Sequence, residues 1–235
     1  MMEQRLQSGL AALNLPVEGI PALVRYGDLL IETNKVMNLT AITDPEDVAT
    51  LHFLDSAALL TLESFSGKSV VDVGTGAGFP GIPLKIVFPD LKITLLDSLN
   101  KRIKFLNQVI LDLSLNNISA LHGRAEDLAQ QKEYREHYDF CVSRAVANLA
   151  TLSEYCLPFV KKKGYFISYK SEKITEEYEQ AKKAIKILGG NYKNQVEFYL
   201  PQSDIYRNLF IIEKIDVTPK KYPRKAGMPS KEPII

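Results

Sequence analysis

The sequence is poor in cysteine, in long apolar runs and in charge of one sign. Its two cysteines, Cys141 and Cys156, lack the spacing of a metal or thiol–disulfide site. No metal is expected, and both read as buried thiols, one in a strand and one in a helix. No stretch approaches the ~20 apolar residues that a membrane-spanning helix needs, and residues 1–9 have no apolar leader core, so a cytosolic protein without membrane contact is expected. The formal net charge is +1 over 235 residues, which confines any polyanion site to a local patch. Repeats and low-complexity segments are absent. What is left is an ordinary globular composition with enough chain for one sizeable core.

The stretch that organises the rest is Val70-Val71-Asp72-Val73-Gly74-Thr75-Gly76-Ala77-Gly78-Phe79-Pro80-Gly81-Ile82-Pro83. β-Branched residues around one acid read as a buried strand. The glycines after it read as a tight turn, where the backbone takes positive φ or comes close to a ligand. A helix opening behind them aims free N–H groups and its positive dipole end at that ligand.

Residues 1–65 read as a helical region without strands. Pro21 opens a helix, and Leu23, Tyr26 and Leu30 keep helical spacing. The polar run from Asn34 to Ala41 breaks that period and reads as a loop. Asp44-Pro45-Glu46-Asp47 is a helix start, with an N-cap Asp and Pro in the first turn; on that helix His52 and Asp55, three apart, can meet. Residues 66–216 alternate strands with helices, which predicts an α/β domain with a parallel sheet covered on both faces. Strands are expected near 69–73, 92–96, 118–121, 138–142 and 164–168, with a helix from about Thr175 to Gly189-Gly190. Two more β-rich runs, 196–200 and 208–213, suit an antiparallel pair at the sheet edge. Residues 217–235 form a basic, Pro-containing tail, expected on the surface without regular structure.

Two ligand classes use such a glycine ladder. Gly76-Ala77-Gly78-Phe79-Pro80-Gly81 satisfies the GxGxxG pattern of dinucleotide sites, which keeps an NAD(P)-dependent oxidoreductase open. Against it, the ladder already starts at Gly74, Pro80 and Pro83 have no N–H for a pyrophosphate, and Asp72 suits a cation. The order Asp72, Gly74, Gly76, Gly78, with Asp97 ending the next strand, is similar to the S-adenosylmethionine site of class I methyltransferases. Asp97 is placed to accept from both ribose hydroxyls, and Ala125-Glu126 to line an adenine.

Methyl transfer from a sulfonium is a displacement in which alignment dominates. After the fourth strand stands Ser143-Arg144-Ala145, without the Asn/Asp-Pro-Pro-aromatic motif of amino-methylating enzymes and without an exposed cysteine for pyrimidine C5 chemistry. An acceptor with its own lone pair, such as guanine N7, needs no general base. Arg144 then reads as a positioning group for cofactor or acceptor rather than a structural salt bridge. Local basic clusters, Lys161 to Lys163, Lys182-Lys183 with Lys186, and Lys220 to Lys225 with Lys231, are candidate nucleic-acid contacts.

From about Tyr26 onward the chain resembles the RsmG (GidB) family of bacterial 16S ribosomal RNA guanine-N7 methyltransferases. The resemblance is carried by Asn34 to Ile42, His52-Phe53-Leu54-Asp55-Ser56, Asp72 to Pro83, Leu95 to Ser98, Ser143-Arg144-Ala145 and Tyr222 to Pro229. The Gly-Phe-Pro-Gly-Ile-Pro extension is far more specific than the ladder. The resemblance implies a Rossmann-like class I methyltransferase fold, a seven-stranded mostly parallel sheet with a small N-terminal helical extension. It implies S-adenosylmethionine as donor and a guanine of 16S rRNA as acceptor, in the small ribosomal subunit or its precursor; the protein is expected to be a monomer. Cofactor contacts are expected from Gly74, Phe79, Ala125, Glu126 and Arg144, beside Asp72, Gly76, Gly78 and Asp97. RNA-side candidates are Asn38, His52, Lys170, Lys220, Lys221, Arg224 and Lys225. Thr33 departs from the family's usual Trp, which touches local packing only. A non-catalytic ribosome-assembly factor on the same fold stays open as an alternative.

Overall fold

The computed structural model describes residues 1–62, 65–144, 146–172 and 174–235. Ala145 of the Ser143-Arg144-Ala145 motif, and Glu63 and Ser64 of the N-terminal helical reading, lie outside the described residues. The chain begins with α1 (Met2–Ala12) and α2 (Ile20–Met37). Pro21 sits in the first turn of α2, where its missing N–H has no partner to lose. The helix runs into the polar stretch that the sequence suggests is a loop, a correction with a clear cause. Asn34 turns its amide onto the chain beyond the helix end, Oδ1 accepting from Leu39 N at 2.6 Å and Thr40 N at 2.9 Å, Nδ2 donating to Thr40 O at 2.8 Å. Asn38 then ends the helix at φ 49°, ψ 60°, a left-handed conformation that Asn tolerates.

Asp44 caps α3 (Pro45–Asp47), accepting from the N–H groups of Glu46 and Asp47, as its spacing predicts. The chain continues through a π-helical stretch (Val48–Leu54) into α4 (Asp55–Ala57) and a 3₁₀ turn (Ala58–Thr61). Then follow β1 (Ser69–Val73), α5 (Gly81–Val87), β2 (Lys92–Asp97), α6 (Asn100–Asp112), β3 (Ile118–His122), α7 (Ala125–Leu128), β4 (Tyr138–Arg144), α8 (Leu149–Cys156), β5 (Val160–Lys170), α9 (Thr175–Ile187), β6 (Gly190–Tyr199), β7 (Tyr206–Lys214) and α10 (Met228–Lys231).

The strands form one sheet in the order β3-β2-β1-β4-β5-β7-β6. Neighbours among β1 to β5 are parallel; β7 runs antiparallel to β5 and β6 antiparallel to β7. Side chains alternate across this sheet as period 2 requires. On β7, Leu209 and Ile211 join the cluster under the N-terminal helices, α5 and α6, while Phe210 and Ile212 join the one under α7 to α9. On β1, Val71 and Val73 face the α7–α9 side, which leaves Asp72 pointing with Val70 toward α5. The N-terminal helices are part of this cover, since Leu6, Leu10, Tyr26 and Leu30 are all fully buried in the first cluster. Burying one such leucine is worth about 1.5–3 kcal/mol. Both thiols are free and buried, as expected.

The tail departs from expectation. It is strapped to the α7–α9 side: Arg135 donates to Tyr222 O at 2.9 Å and Thr218 O at 2.8 Å, and Gln130 to Pro223 O at 2.8 Å. Tyr222 and Pro229 are buried, and the strap closes with α10. Among the described residues no helix is long and apolar enough to cross a membrane.

Candidate active site

β1 runs into the glycine loop, and the loop is tied to the end of β2. Gly74 N and Thr75 N donate to Leu96 O at 2.9 and 3.0 Å, and Gly76 N donates to Asp97 Oδ2 at 2.9 Å. Gly76 has φ +63°, and a Cβ there would meet nothing within 4 Å, so its backbone faces open space. Gly78 differs from the ligand-facing role expected of it. At φ +109°, a Cβ there would lie 2.5 Å from Ile82 Cδ1 and 2.7 Å from Tyr26 Oη. Its glycine is demanded by packing against α2 and α5, and Tyr26 donates its hydroxyl to Ala77 O from the same side.

Asp72 is corrected likewise. It is fully buried, Oδ2 accepting from Thr75 Oγ1 at 2.6 Å and Gly81 N at 2.8 Å. Its carboxylate therefore holds the loop from behind instead of lining the cleft. Burial pushes its carboxyl up to about 7, against the pull of those two hydrogen bonds, and Oδ1 has no hydrogen-bond partner among the described residues. The Gly81 N–H at the start of α5 is thereby consumed, so this helix end offers a ligand less than the sequence suggests.

Above the ends of β1, β2 and β3 opens a cleft of about 500 Å³. One wall carries Thr40, His52 and Phe79, the other Ala125, Glu126 and Tyr155, with Gly74, Gly76 and Asp97 between them. Asp97 already accepts from Gly76 N and, at 3.1 Å, Arg102 Nη1 on Oδ2, and from Leu99 N at 2.9 Å on Oδ1. A carboxylate has about four acceptor positions, so one is left, on Oδ1. The expected grip on two hydroxyls therefore requires Arg102, 33% exposed, to swing away. Glu126 has Oε1 committed to Gly227 N at 2.8 Å.

Arg144 stands where this cleft meets a second cavity of about 420 Å³, lined by Leu51, Tyr169, Lys170, Glu172 and Arg207; His52 and Arg144 border both. Its guanidinium donates to Leu51 O at 3.0 Å, Asp55 Oδ2 at 3.1 Å and His52 Nδ1 at 3.1 Å, 5.1 Å from the centre of the Phe79 ring. An arginine can only donate, so His52 Nδ1 is an acceptor and Nε2 carries the proton toward Thr40 Oγ1, 2.9 Å away. Burial first, and the Arg144 charge second, lower His52 to about 3, which keeps the ring neutral. It stacks on Phe79 with centroids 4.3 Å apart. His52 and Asp55 thus meet through Arg144, and Arg207 Nε pairs with Asp55 Oδ1 at 3.0 Å.

The remaining candidates scatter. Asn38 is exposed at the end of α2, and Lys220, Lys221 and Lys225 are exposed on the strap. Lys170 lies in the second cavity, its ammonium 2.6 Å from Glu177 Oε1. The Arg224 guanidinium is held in a two-nitrogen pair with Glu154, whose side chain is 1% exposed. Tyr26, Thr75, Asp55, Tyr155 and Arg207 escape sequence reasoning as site residues. Thr75 stands inside the ladder and could have been noticed; Arg207, beside an unremarkable β-run, carries no local signal.

The GidB family, rRNA small subunit methyltransferase G, matches residues 19–206. The chain belongs to this family. A Ribosomal RNA small subunit methyltransferase G from Lachnoclostridium phytofermentans is 57% identical over 211 residues, covering 89% of this chain and 87% of that protein. Its counterpart from Alkaliphilus oremlandii is 52% identical over 232 residues, 97% of each. Among solved structures, a SAM dependent methyltransferase from Aquifex aeolicus matches with a TM-score of 0.53 at 19% identity, over 73% of this chain and 94% of that one. The fold is the class I methyltransferase fold that the sequence predicts. In this member of the rRNA small subunit methyltransferase G family the glycine loop, Asp97 and Arg144 lie inside the matched span, and the strap lies beyond it.

Proposed function

We propose that the chain transfers the methyl group of S-adenosylmethionine to N7 of a guanine in 16S ribosomal RNA. The observation that carries this reading is that, among the described residues, the two acid–base groups packed on Arg144 where the cavities meet are both engaged. His52 has both ring nitrogens engaged and is held neutral, and Asp55 lies between two arginines. An acceptor that brings its own lone pair and loses no proton, such as guanine N7, fits that arrangement. Family membership supports the ribosomal RNA substrate.

The residues of the first cleft fit the cofactor: open backbone at Gly76, the remaining acceptor of Asp97, and a wall of Ala125 and Glu126 facing Phe79. When bound, S-adenosylmethionine supplies an activated methyl. The chain's own residues align and exclude water, with Arg144 fixed as the partition and the acceptor base entering the second cavity beside Lys170 and Arg207. Asn38, Lys220, Lys221 and Lys225 are exposed enough to reach phosphates. A pyrophosphate would find few donors, because Asp72 takes Gly81 N and Pro80 and Pro83 have none, which disfavours a dinucleotide.

Incubation with tritiated S-adenosylmethionine and small subunits, or free 16S rRNA, from a strain lacking the activity tests this. The expected result is label in 16S rRNA at one guanine whose glycosidic site becomes cleavable after borohydride and aniline, the signature of a 7-methylguanine ring. Binding to subunits with no label transferred would instead support an assembly factor. Consumption of NADH in place of transfer would support the oxidoreductase.

A further inference from the structure

The cofactor reading leaves the strap, residues 217–235, without a role, yet several of its hydrogen bonds converge on one wall of the cleft. Gly227 N donates to Glu126 Oε1 at 2.8 Å, and Thr151 of α8 donates to Pro229 O at 3.1 Å. Arg224 closes on Glu154 of α8: its backbone N lies 2.7 Å from Oε1, Nε 3.0 Å from Oε1 and 3.1 Å from Oε2, and Nη2 2.7 Å from Oε2. Nη2 also donates to Glu232 O at 2.8 Å, folding the chain end over the pair. The next residue on α8 is Tyr155, which faces the cleft together with Glu126.

Two wall residues, one on α7 and one on α8, are therefore braced from outside by the same few residues of the strap. Releasing Arg224 to a phosphate would strand a buried carboxylate, a strongly unfavourable change. Releasing Gly227 would let Glu126 turn into solvent, and a ligand would then have to order it again on binding. We infer that Arg224 and Glu154 are positioning residues for cofactor binding, which hold the Glu126–Tyr155 wall in its ligand-ready place. This inference rests on the reading of the cleft as the S-adenosylmethionine site.

The test is calorimetric titration of S-adenosylhomocysteine, and of 5′-methylthioadenosine, which lacks the amino-acid end, into the full chain. Arg224→Ala, Arg224→Lys and the double variant Arg224→Ala with Glu154→Ala are compared with wild type after thermal melting confirms that they fold. Arg224→Ala is expected to weaken both ligands by the same factor, about tenfold. Arg224→Lys recovers part of that loss, and KM for ribosomal RNA at saturating cofactor stays unchanged. If Arg224→Ala does not fold, the double variant, which strands no charge, makes the same measurement. Unchanged ligand affinity in a variant of lowered melting temperature overturns the inference, as does a raised KM for RNA with normal cofactor affinity, which returns Arg224 to the RNA side. A wild-type chain that binds neither ligand overturns the cofactor reading itself, and this inference with it.

Discussion

Arg144 answers two demands that sequence reasoning treats as alternatives. It borders both cavities, and it neutralises Asp55, whose side chain is 4% exposed. Arg144→Ala should therefore cost stability as well as activity. With Arg207 as its one remaining cation among the described residues, Asp55 becomes a poorly compensated buried charge, worth about 2–4 kcal/mol of destabilisation, and kcat at saturating cofactor should fall by about 100-fold or more. Arg144→Lys keeps the charge but cannot reach three acceptors with a planar fork, so most of the stability and little of the rate should return. Urea melts and single-turnover assays separate the two effects. Wild-type kcat in Arg144→Ala would remove Arg144 from the transfer step. Position at the end of a strand made Arg144 legible as a candidate; its partners were not, because Leu51, His52 and Asp55 lie about 90 residues earlier and meet it only through the fold.

Among the elements, the glycine loop separates what a motif shows from what it hides. Strand, turn and helix are legible because β-branched alternation, glycine and proline act locally. Which glycine serves the ligand depends on Tyr26 and Ile82, which no local pattern brings in. Gly76→Ala and Gly78→Ala should accordingly part ways. At Gly76 the added methyl meets nothing, so the fold should lose only the roughly 1–2 kcal/mol of a left-handed alanine, while S-adenosylhomocysteine binding is lost. At Gly78 the methyl collides with Ile82 and the Tyr26 hydroxyl, so the melting temperature should fall much further than in Gly76→Ala. Melting curves and ligand titration on both variants decide it; equal destabilisation would mean that the two glycines face the same surroundings. Longer-range causes explain the other misreadings. Asn34 looks like a loop residue because its amide serves the residues after the helix. The tail looks like free coil because Glu154, Arg135 and Gln130, which pin it, are about 70–95 residues away.

Across the whole molecule, the two faces of the sheet are sealed well enough to hold titratable groups out of water on the N-terminal side, and two of them pull stability in opposite directions with pH. Asp72, raised from 3.8 to about 7 by burial, binds its proton more tightly in the folded chain. Its favourable contribution is whole at low pH and is lost as pH rises from about 4 to about 7. His52, lowered from 6.5 to about 3 by burial and then by Arg144, is protonated first in the unfolded chain. Its contribution is whole above about pH 6.5 and is lost as pH falls toward 3. The two slopes oppose each other through the same window, so wild type should show little net pH dependence from this pair, and single variants should unmask each. Asp72→Asn keeps an acceptor for Thr75 and Gly81 without the charge, so its stability relative to wild type should climb from about pH 4 to about pH 7, by about 2–4 kcal/mol. His52→Gln should run the other way, with its deficit against wild type largest near neutrality and shrinking as pH falls. Denaturant melts of the ligand-free chain at about pH 4.5 and about pH 7.5 read both differences. Slopes of the same sign would mean that water reaches one of these groups, and that the cover formed by α2, α5 and the π-helical stretch is looser than its packing.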